Sequence, residues 1–344
     1  MSTSSPRPVT AHDVARAAGV SQATVSLVLG ANPRARIAAA TREKVLRAAE
    51  ELGYRPNILA RGLVRGRSYA LGVIVPDLAN PFFLDVVRGI ERVAAEEGYA
   101  VLLCDARDTP AARHLEALRA RQIDGVILDP SGADSLPGDA LTDLNVVVAD
   151  RPTDRFPGVA SDAEAAGRLA AEHLLGLGHR ELAFIGPASE EHAFRMRERG
   201  FARALRAAGV ALPSPRLRRA PATVAGGEAA MRALLAAKTG RPTGVFCAND
   251  LAALGALKAC AAAGVPVPRA MSVVGCDDIE MARVVTPELT TVAVPARELG
   301  ARAARLLLRQ IEGKPEAAKP ARLLPVKLVP RGTTAEPQGT GNRE

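Results

Sequence analysis

The chain of 344 residues has no tryptophan, three tyrosines and seven phenylalanines. Its core must therefore be aliphatic, and any place where aromatic rings gather stands out, as the adjacent Phe82 and Phe83 do. Cysteine is scarce as well. Cys104, Cys247, Cys260 and Cys276 are scattered and show no CxxC spacing, which argues against a disulfide framework or a metal knuckle and for small apolar core residues. The five histidines, His12, His114, His173, His179 and His192, form no metal-ligand spacing. No GxSxG elbow, P-loop, HExxH or GxGxxG occurs, so the expectation is a protein that is not an enzyme and holds no metal or cofactor. No apolar run reaches the length of about eighteen residues that a membrane helix needs. The opening MSTSSPRPVTAHDV lacks the apolar stretch of a secretory signal. Both absences predict a cytoplasmic protein without a membrane partner.

What is there is charge, placed unevenly. The net charge is +8. Residues 1–67 hold eleven Lys and Arg against four Asp and Glu, whereas the remaining residues hold 34 against 33. A basic head on a nearly neutral body fits a polyanionic partner, of which the phosphate backbone is the usual one; a solvated basic arm is the bland alternative.

The pattern along the chain divides the same way. Residues 1–9, rich in Ser and Pro, read as a disordered arm. Thr10 with Asp13 three residues on reads as a helix start. A second helix is expected from about Gln22 to Leu29, after the break Gly19-Val20-Ser21. In a third, from about Ala39 to Leu52, Val45, Ala48, Ala49 and Leu52 fall on one stripe. From Leu71 the pattern changes to short apolar runs alternating with amphipathic stretches. The runs are Leu71–Val75, Val101–Cys104, Val126–Leu128 and Val146–Ala149, then Leu182–Ile185, Val245–Cys247 and Ser272–Val274, with a weaker one around Leu217. Repeated strand-helix-strand units in two series predict an α/β body of two similar lobes, each a parallel sheet covered by helices. A last helix, about Ala296 to Glu312, and a strand near Val326–Val329 complete it. Residues 333–344 read as a disordered tail.

Two short helices joined by a tight glycine turn form the hairpin that reads DNA. In the second, Val25, Val28 and Leu29 share a face that can pack, while Gln22, Ala23, Ser26 and Leu27 share the other. Gln can pair an adenine edge with two hydrogen bonds, and the hydroxyls of Ser21, Thr24 and Ser26 can hold phosphates. A three-helix packing module with a solvated polar face remains open on geometry alone.

In the body, ligands of parallel sheets sit beyond the carboxyl ends of strands. There the sequence places Asn80, Phe82 and Phe83, then Asp150-Arg151, Asn249-Asp250 and Asp277-Asp278. Aromatic faces with Asp, Asn and Arg suit a polyhydroxylated ligand such as a sugar. Each polar residue taken alone reads first as a helix cap or loop contact, and it is their clustering at strand ends that shifts the balance to a ligand site.

The run Asp13-Val-Ala-Arg-Ala-Ala-Gly-Val-Ser-Gln-Ala-Thr-Val-Ser26 resembles the headpiece of the lactose-repressor and galactose-repressor (LacI/GalR) family of transcriptional regulators. So do Thr41-Arg-Glu-Lys-Val45, Leu52-Gly-Tyr-Arg-Pro-Asn57 and Ala60-Arg-Gly-Leu63, in the family's order. The resemblance runs on through Asn80-Pro-Phe-Phe83, Asp150-Arg151, Arg197-Glu-Arg-Gly-Phe201, Ala248-Asn-Asp250 and Gly275-Cys-Asp-Asp278 to about residue 332. It implies a repressor that binds a near-palindromic operator as a homodimer, under control of a small-molecule effector. It also implies a two-lobed body of the periplasmic-binding-protein type. Thr10, Asn57, Ala60, Arg61 and Leu63 join the DNA contacts, with Leu63 as a minor-groove wedge on a hinge helix that orders on DNA. Alone, the segment from Asn57 to Val64 is too short for a stable helix and could be a plain linker. Asp150, Arg197, Asn249 and Asp277 are implied as effector contacts.

The departures matter. Leu27 stands where the family often has Arg, Ala38 replaces a usual Ser cap, and the loop from Gly30 to Ile37 is longer than in the lactose repressor itself. That loop brings Arg34 and Arg36, of which Arg36 is expected to touch DNA. Ala163, Val294 and Ala296 replace residues that are often polar or aromatic. The expected layout is a helix-turn-helix domain over 10–56, a hinge over 57–67 and a sensing and dimerisation domain over 68–332. The polar tail lacks a leucine heptad, which favours a dimer over a tetramer. A DNA-binding regulator without ligand control is the alternative; a solute-binding protein would share the body but not the basic head.

Overall fold

The structure, a computed structural model, describes residues 9–29, 37–54, 66–137, 140–151, 156–188, 191–237, 240–314 and 323–337. Arg34, Arg36, Asn57, Ala60, Arg61 and Leu63, named above, lie outside the described residues, as do the hinge from 57 to 65 and most of the arm. The chain divides into two compact units, Met1–Tyr69 and Ala70–Glu344.

The described residues of the first unit form three helices, α1 (Ala11–Ala18), α2 (Gln22–Leu29) and α3 (Ala39–Glu51). Thr10 caps α1 in a reciprocal box. Its amide donates to Asp13 Oδ2 at 2.9 Å, and its Oγ1 accepts from the Asp13 amide at 3.4 Å. Gly19, at φ 65°, ends the helix in a left-handed turn, which lets Val20 N donate back to Ala15 O at 3.0 Å. Ala38 precedes α3 without a side-chain cap. The small core is aliphatic: Val14, Ala15, Val25, Val28, Val45, Ala48 and Ala49, with Tyr54 packed against it.

The second unit holds two sheets. The first has the order β2-β1-β3-β4-β5 and all its pairs are parallel: β1 (Ala70–Val75), β2 (Ala100–Asp105), β3 (Gly125–Leu128), β4 (Asn145–Ala149) and β5 (Gly158–Val159). The second has the order β11-β10-β9-β8-β6-β7, with β6 (Leu182–Gly186), β7 (Leu217–Arg219), β8 (Gly244–Cys247), β9 (Ser272–Asp277), β10 (Thr290–Ala293) and β11 (Lys327–Val329). β11 pairs antiparallel with β10, so the expected parallel sheet carries one reversed edge. Strands β3, β6, β8 and β9 are buried along their whole length, as strands covered by helices on both faces must be.

The first lobe's helices are α4 (Pro81–Glu96), α5 (Ala111–Arg119) and α6 (Pro130–Ser135). The second lobe's are α7 (Ala163–Gly176), α8 (His192–Ala207), α9 (Val224–Leu235) and α10 (Asp250–Ala262). Helix α11 (Ala296–Ile311) follows a strand of the second sheet but packs on α4, β3 and β4 of the first. The chain thus crosses between lobes three times, after β5, after β10 and before β11. Two of these crossings meet where Ser161 bridges Leu324 and Leu324 N donates to Ala160 O at 2.8 Å.

Two expectations need correction. The series of apolar runs passes over Thr290 to Ala293, because its two threonines look like loop, yet this segment is strand β10. Both threonines are fully buried, and Thr291 Oγ1 donates to Asp250 at 2.6 Å. The expected tail from residue 333 is also ordered at its start. Thr333 is fully buried, its hydroxyl donates to Val273 O at 2.7 Å, and it accepts from Thr290 N at 2.8 Å. Polar composition alone cannot distinguish a solvated tail from one whose hydroxyls all serve the sheet.

A polar helix face and an interlobe cleft

In the head, α2 presents two unlike faces. Val25 and Val28 are buried, while Ser21, Gln22, Ala23, Ser26 and Leu27 are exposed and Thr24 is half-buried. Ser21 Oγ accepts from Thr24 N at 3.1 Å and pairs with Thr24 Oγ1 at 2.9 Å, so that pair spends only one of its two hydroxyl hydrogens. Thr10 is more committed, since its hydroxyl donates to Asp13 at 2.7 Å. The outward surface of α2 is thus one amide, small hydroxyls and an apolar Leu27.

The second site lies between the lobes at the carboxyl ends of strands. Asp150 comes directly after β4 at φ 70° and accepts from Ser161 Oγ at 3.0 Å. Arg197 projects from the middle of α8 and its side chain is 3% exposed. Its Nη1 donates to Ala248 O at 2.6 Å, its Nη2 donates to Asp277 Oδ1 at 2.9 Å, and its Cζ lies 5.7 Å from the centre of the Phe194 ring. Its buried Nε has no acceptor among the described residues. Asp277 ends β9 at φ 122°. The structure therefore brings Asp150, Arg197 and Asp277 together, from strand ends and a helix far apart in sequence.

Their electrostatics are strained. Burial pushes the Asp277 carboxyl up to about 7, with Arg197 opposing and Asp250 and Asp150 reinforcing. Burial likewise raises Asp150 and takes Asp250 up to about 6. Burial works against the Arg197 charge, but the surrounding acids outweigh it and keep the guanidinium protonated. One cation thus serves several desolvated carboxyls. Such a row gains from a ligand that brings hydrogen-bond donors, and the idle Nε gains from one that brings an acceptor.

Phe82 and Phe83, edge to face at 5.3 Å, line an apolar cavity of about 40 Å³ whose rim carries Asp129, Asp150, Glu191 and His192. That is room for a few waters, well short of the roughly 300 Å³ or more that small-molecule sites enclose. Phe82 also borders a groove of about 720 Å³ that includes Asp277, Asp278, Val294 and Ala296, which is large enough. Asn80 and Asn249 sit otherwise. Asn80 caps α4 by accepting from Phe82 N at 3.1 Å. Asn249 caps α10 by accepting from Ala252 N and donates to Ala222 O, both at 2.9 Å. The cap alternative thus describes what their side chains do here.

Sequence reasoning missed Asp129, Ser161 and Glu191. Asp129-Pro130 comes directly after the third apolar run, so a search of the residues next to every strand end would have found it. Ser161 lies in a crossover and Glu191 before α8, and nothing in the local pattern singles out either. Among the described residues no three His, Cys, Asp or Glu could hold a metal, and the buried Cys247, Cys260 and Cys276 have thiols that burial pushes up.

Residues 10–57 match the bacterial regulatory proteins of the lacI family, and residues 171–334 match the periplasmic binding protein-like domain. The chain is 36% identical to the HTH-type transcriptional repressor CytR of Escherichia coli (strain K12), over 94% of its own length and 96% of that protein. This chain belongs to the lacI family. Among solved structures of the family, the lac repressor dimer bound to operator and the anti-inducer ONPF superposes with a TM-score of 0.82. It is 32% identical and is covered 100%, against 96% of this chain. The complex of the transcriptional regulator CelR with cellobiose gives 0.70 at 31% identity, covering 95% of this chain and 100% of that one.

Proposed function

We propose that this lacI-family chain is a sequence-specific transcriptional repressor that binds a near-palindromic operator as a homodimer and is controlled by a small molecule, a sugar or related metabolite, in the interlobe cleft. The observation that carries the reading is α2, whose buried Val25 and Val28 anchor it while Gln22, Ala23, Ser26 and Leu27 face outward as one strip narrow enough for the major groove. Ser21 and Thr24 at its start, with Thr10 and Arg36, serve the phosphates. Asn57, Ala60, Arg61 and Leu63 supply the hinge contacts. A Leu63→Ala variant that bends operator as the unaltered chain does would remove the wedge from this scheme.

The ligand contacts are Asp150, Arg197 and Asp277, with Phe82 and Phe83 as apolar walls and Asn80 and Asn249 at the edges. A mixed aromatic and carboxylate lining supports a polyol, as does the cellobiose held by CelR. The dimer is supported by exposed apolar side chains that a second copy would cover, among them Leu84 on α4 and Leu103 on the edge strand β2. The protein is then a binder rather than an enzyme and works in the cytoplasm, where DNA is. No helix among the described residues is long and apolar enough to cross a membrane.

The test is operator selection from a random duplex library with full-length protein, then gel shifts with and without a panel of sugars and nucleosides. A selected half-site with its inverted repeat, and release or tightening by one member of the panel, is expected. Selection without any recovered motif would sink the DNA reading. A motif that responds to no ligand would leave the alternative, a regulator without ligand control.

A further inference from the structure

Residues 331–335 run as a strap along the second sheet. Thr333 exchanges hydrogen bonds with Val273 and Thr290, Thr334 Oγ1 lies 2.9 Å from His173 Nε2, and Ala335 N donates to Ser272 Oγ at 3.1 Å. At its head is Arg331, whose side chain is 9% exposed. Its Nη1 donates to Leu289 O at 2.8 Å, its backbone N donates to Thr290 Oγ1 at 2.9 Å, and its Nη2 donates to Asp278 Oδ1 at 2.5 Å. Asp278 also accepts from Arg283 at 3.1 Å, but that guanidinium is 64% exposed and screened by water. Arg331 is thus the firm tether of Asp278. Asp278 and Asp277 stand side by side at left-handed φ, 58° and 122°, a costly conformation for residues with side chains. Such a turn persists only where its surroundings hold it. Asp277 is held by Arg197, and Asp278 by Arg331.

We propose that Arg331 is a positioning residue of the cleft: by gripping Asp278 it keeps the Asp277–Asp278 turn left-handed and so keeps the Asp277 carboxylate on Arg197. The proposal rests on the cleft being the ligand site, but its test needs no ligand, so its failure would leave that reading standing. The charged groups around Asp277 are Arg197, Asp150 and Asp250, with Asp278 next in sequence.

The experiment follows the Asp277 side-chain carbon by NMR from acid to mild alkali in full-length protein labelled at aspartate. The unaltered chain is compared with Arg331→Met, Arg331→Lys and Thr334→Val. In the unaltered chain Asp277 is expected to titrate near 7. In Arg331→Met the turn relaxes into water and proton affinity falls at least about tenfold, one pH unit. Arg331→Lys, whose ammonium cannot serve Leu289 O and Asp278 in the same fork, falls partway. Thr334→Val loosens the strap away from Asp278, so it lowers the melting temperature and leaves the Asp277 curve in place. An unmoved or rising curve in Arg331→Met overturns the proposal, as does an equal shift in Thr334→Val. If Arg331→Met does not fold, an unmoved curve in Arg331→Lys overturns it.

Discussion

Asp250 opens α10 fully buried, accepting from Thr291 Oγ1 at 2.6 Å and from Ile279 N at 2.9 Å. These bonds position it but do not offset the desolvation, and its carboxyl rises from an ordinary 3.8 to about 6. Asp277 rises further, to about 7, chiefly for the same reason. The folded chain therefore keeps both protons at a pH where the unfolded chain has lost them. Stability from this source is fully present below about pH 4 and is lost as pH rises through the folded values of about 6 and 7. An Asp250→Asn variant keeps the shape. Its amide can donate to Thr291 and its carbonyl accept from Ile279. We expect urea unfolding between pH 4.5 and 7.5 to show a shallower loss of stability in this variant, a difference on the order of a few kcal/mol at the upper end. Parallel pH profiles would mean that Asp250 is already ionised across the range. The cleft's principal acids were legible by position, since Asp150, Asp250 and Asp277 lie just past apolar runs. Their proton affinities were not, because those depend on burial by elements far away in sequence.

Helix contacts explain the glycines better than any local pattern does. A Cβ on Gly167 of α7 would collide with the Arg197 carbonyl on α8, and one on Gly200 of α8 with the Glu164 carbonyl on α7. The same reciprocity joins Gly89 with Gly300 across α4 and α11, and Gly227 with Gly255 across α9 and α10. Three helix pairs thus approach backbone to backbone, and one of them sets the height of Arg197 in the cleft. Gly176, at the end of α7, has no neighbour within 4 Å of such a Cβ. Gly167→Ala should therefore cost about 1–3 kcal/mol by overpacking, whereas Gly176→Ala should gain up to about 1 kcal/mol by restricting the unfolded chain. Thermal melts of the two variants would give shifts of opposite sign, and a loss of stability in both would break the distinction. Nothing in the sequence separates these two glycines, because the difference lies in a partner helix some thirty residues on. The same cause hid β10, whose threonines are satisfied by Asp250 and the strap, and hid the ordered start of the tail. The three head helices and most strands of the body were legible because their signals, a cap, a glycine or an apolar run, are local.

On the scale of the whole chain, affinity and selectivity for DNA come from different places. Residues 1–67 carry eleven cationic side chains against four acidic ones, and the remainder is nearly balanced, so the attraction to phosphate resides in the head. A dimer brings two heads. If together they neutralise about 6–10 phosphates, binding should weaken roughly 10³–10⁵-fold between 50 and 200 mM salt, with a log–log slope near −0.9 per phosphate. In the proposed scheme selectivity depends on the outward strip of α2, where Leu27 is 40% exposed and its side chain offers no hydrogen bond. At that position only a thymine methyl or a neighbouring side chain can reward it. Leu27→Arg should then do two separable things. It should steepen the salt slope by no more than about two units, since a dimer gains at most two cations, one per head. It should also move the selected base opposite that position to guanine, by about 1–3 kcal/mol of discrimination. Fluorescence anisotropy on selected operators across a salt series measures both. A steeper slope with unchanged base preference would place residue 27 over the backbone instead of a base edge. A flat slope in the unaltered chain would remove the head from DNA altogether, because no other part of the molecule carries the charge to replace it.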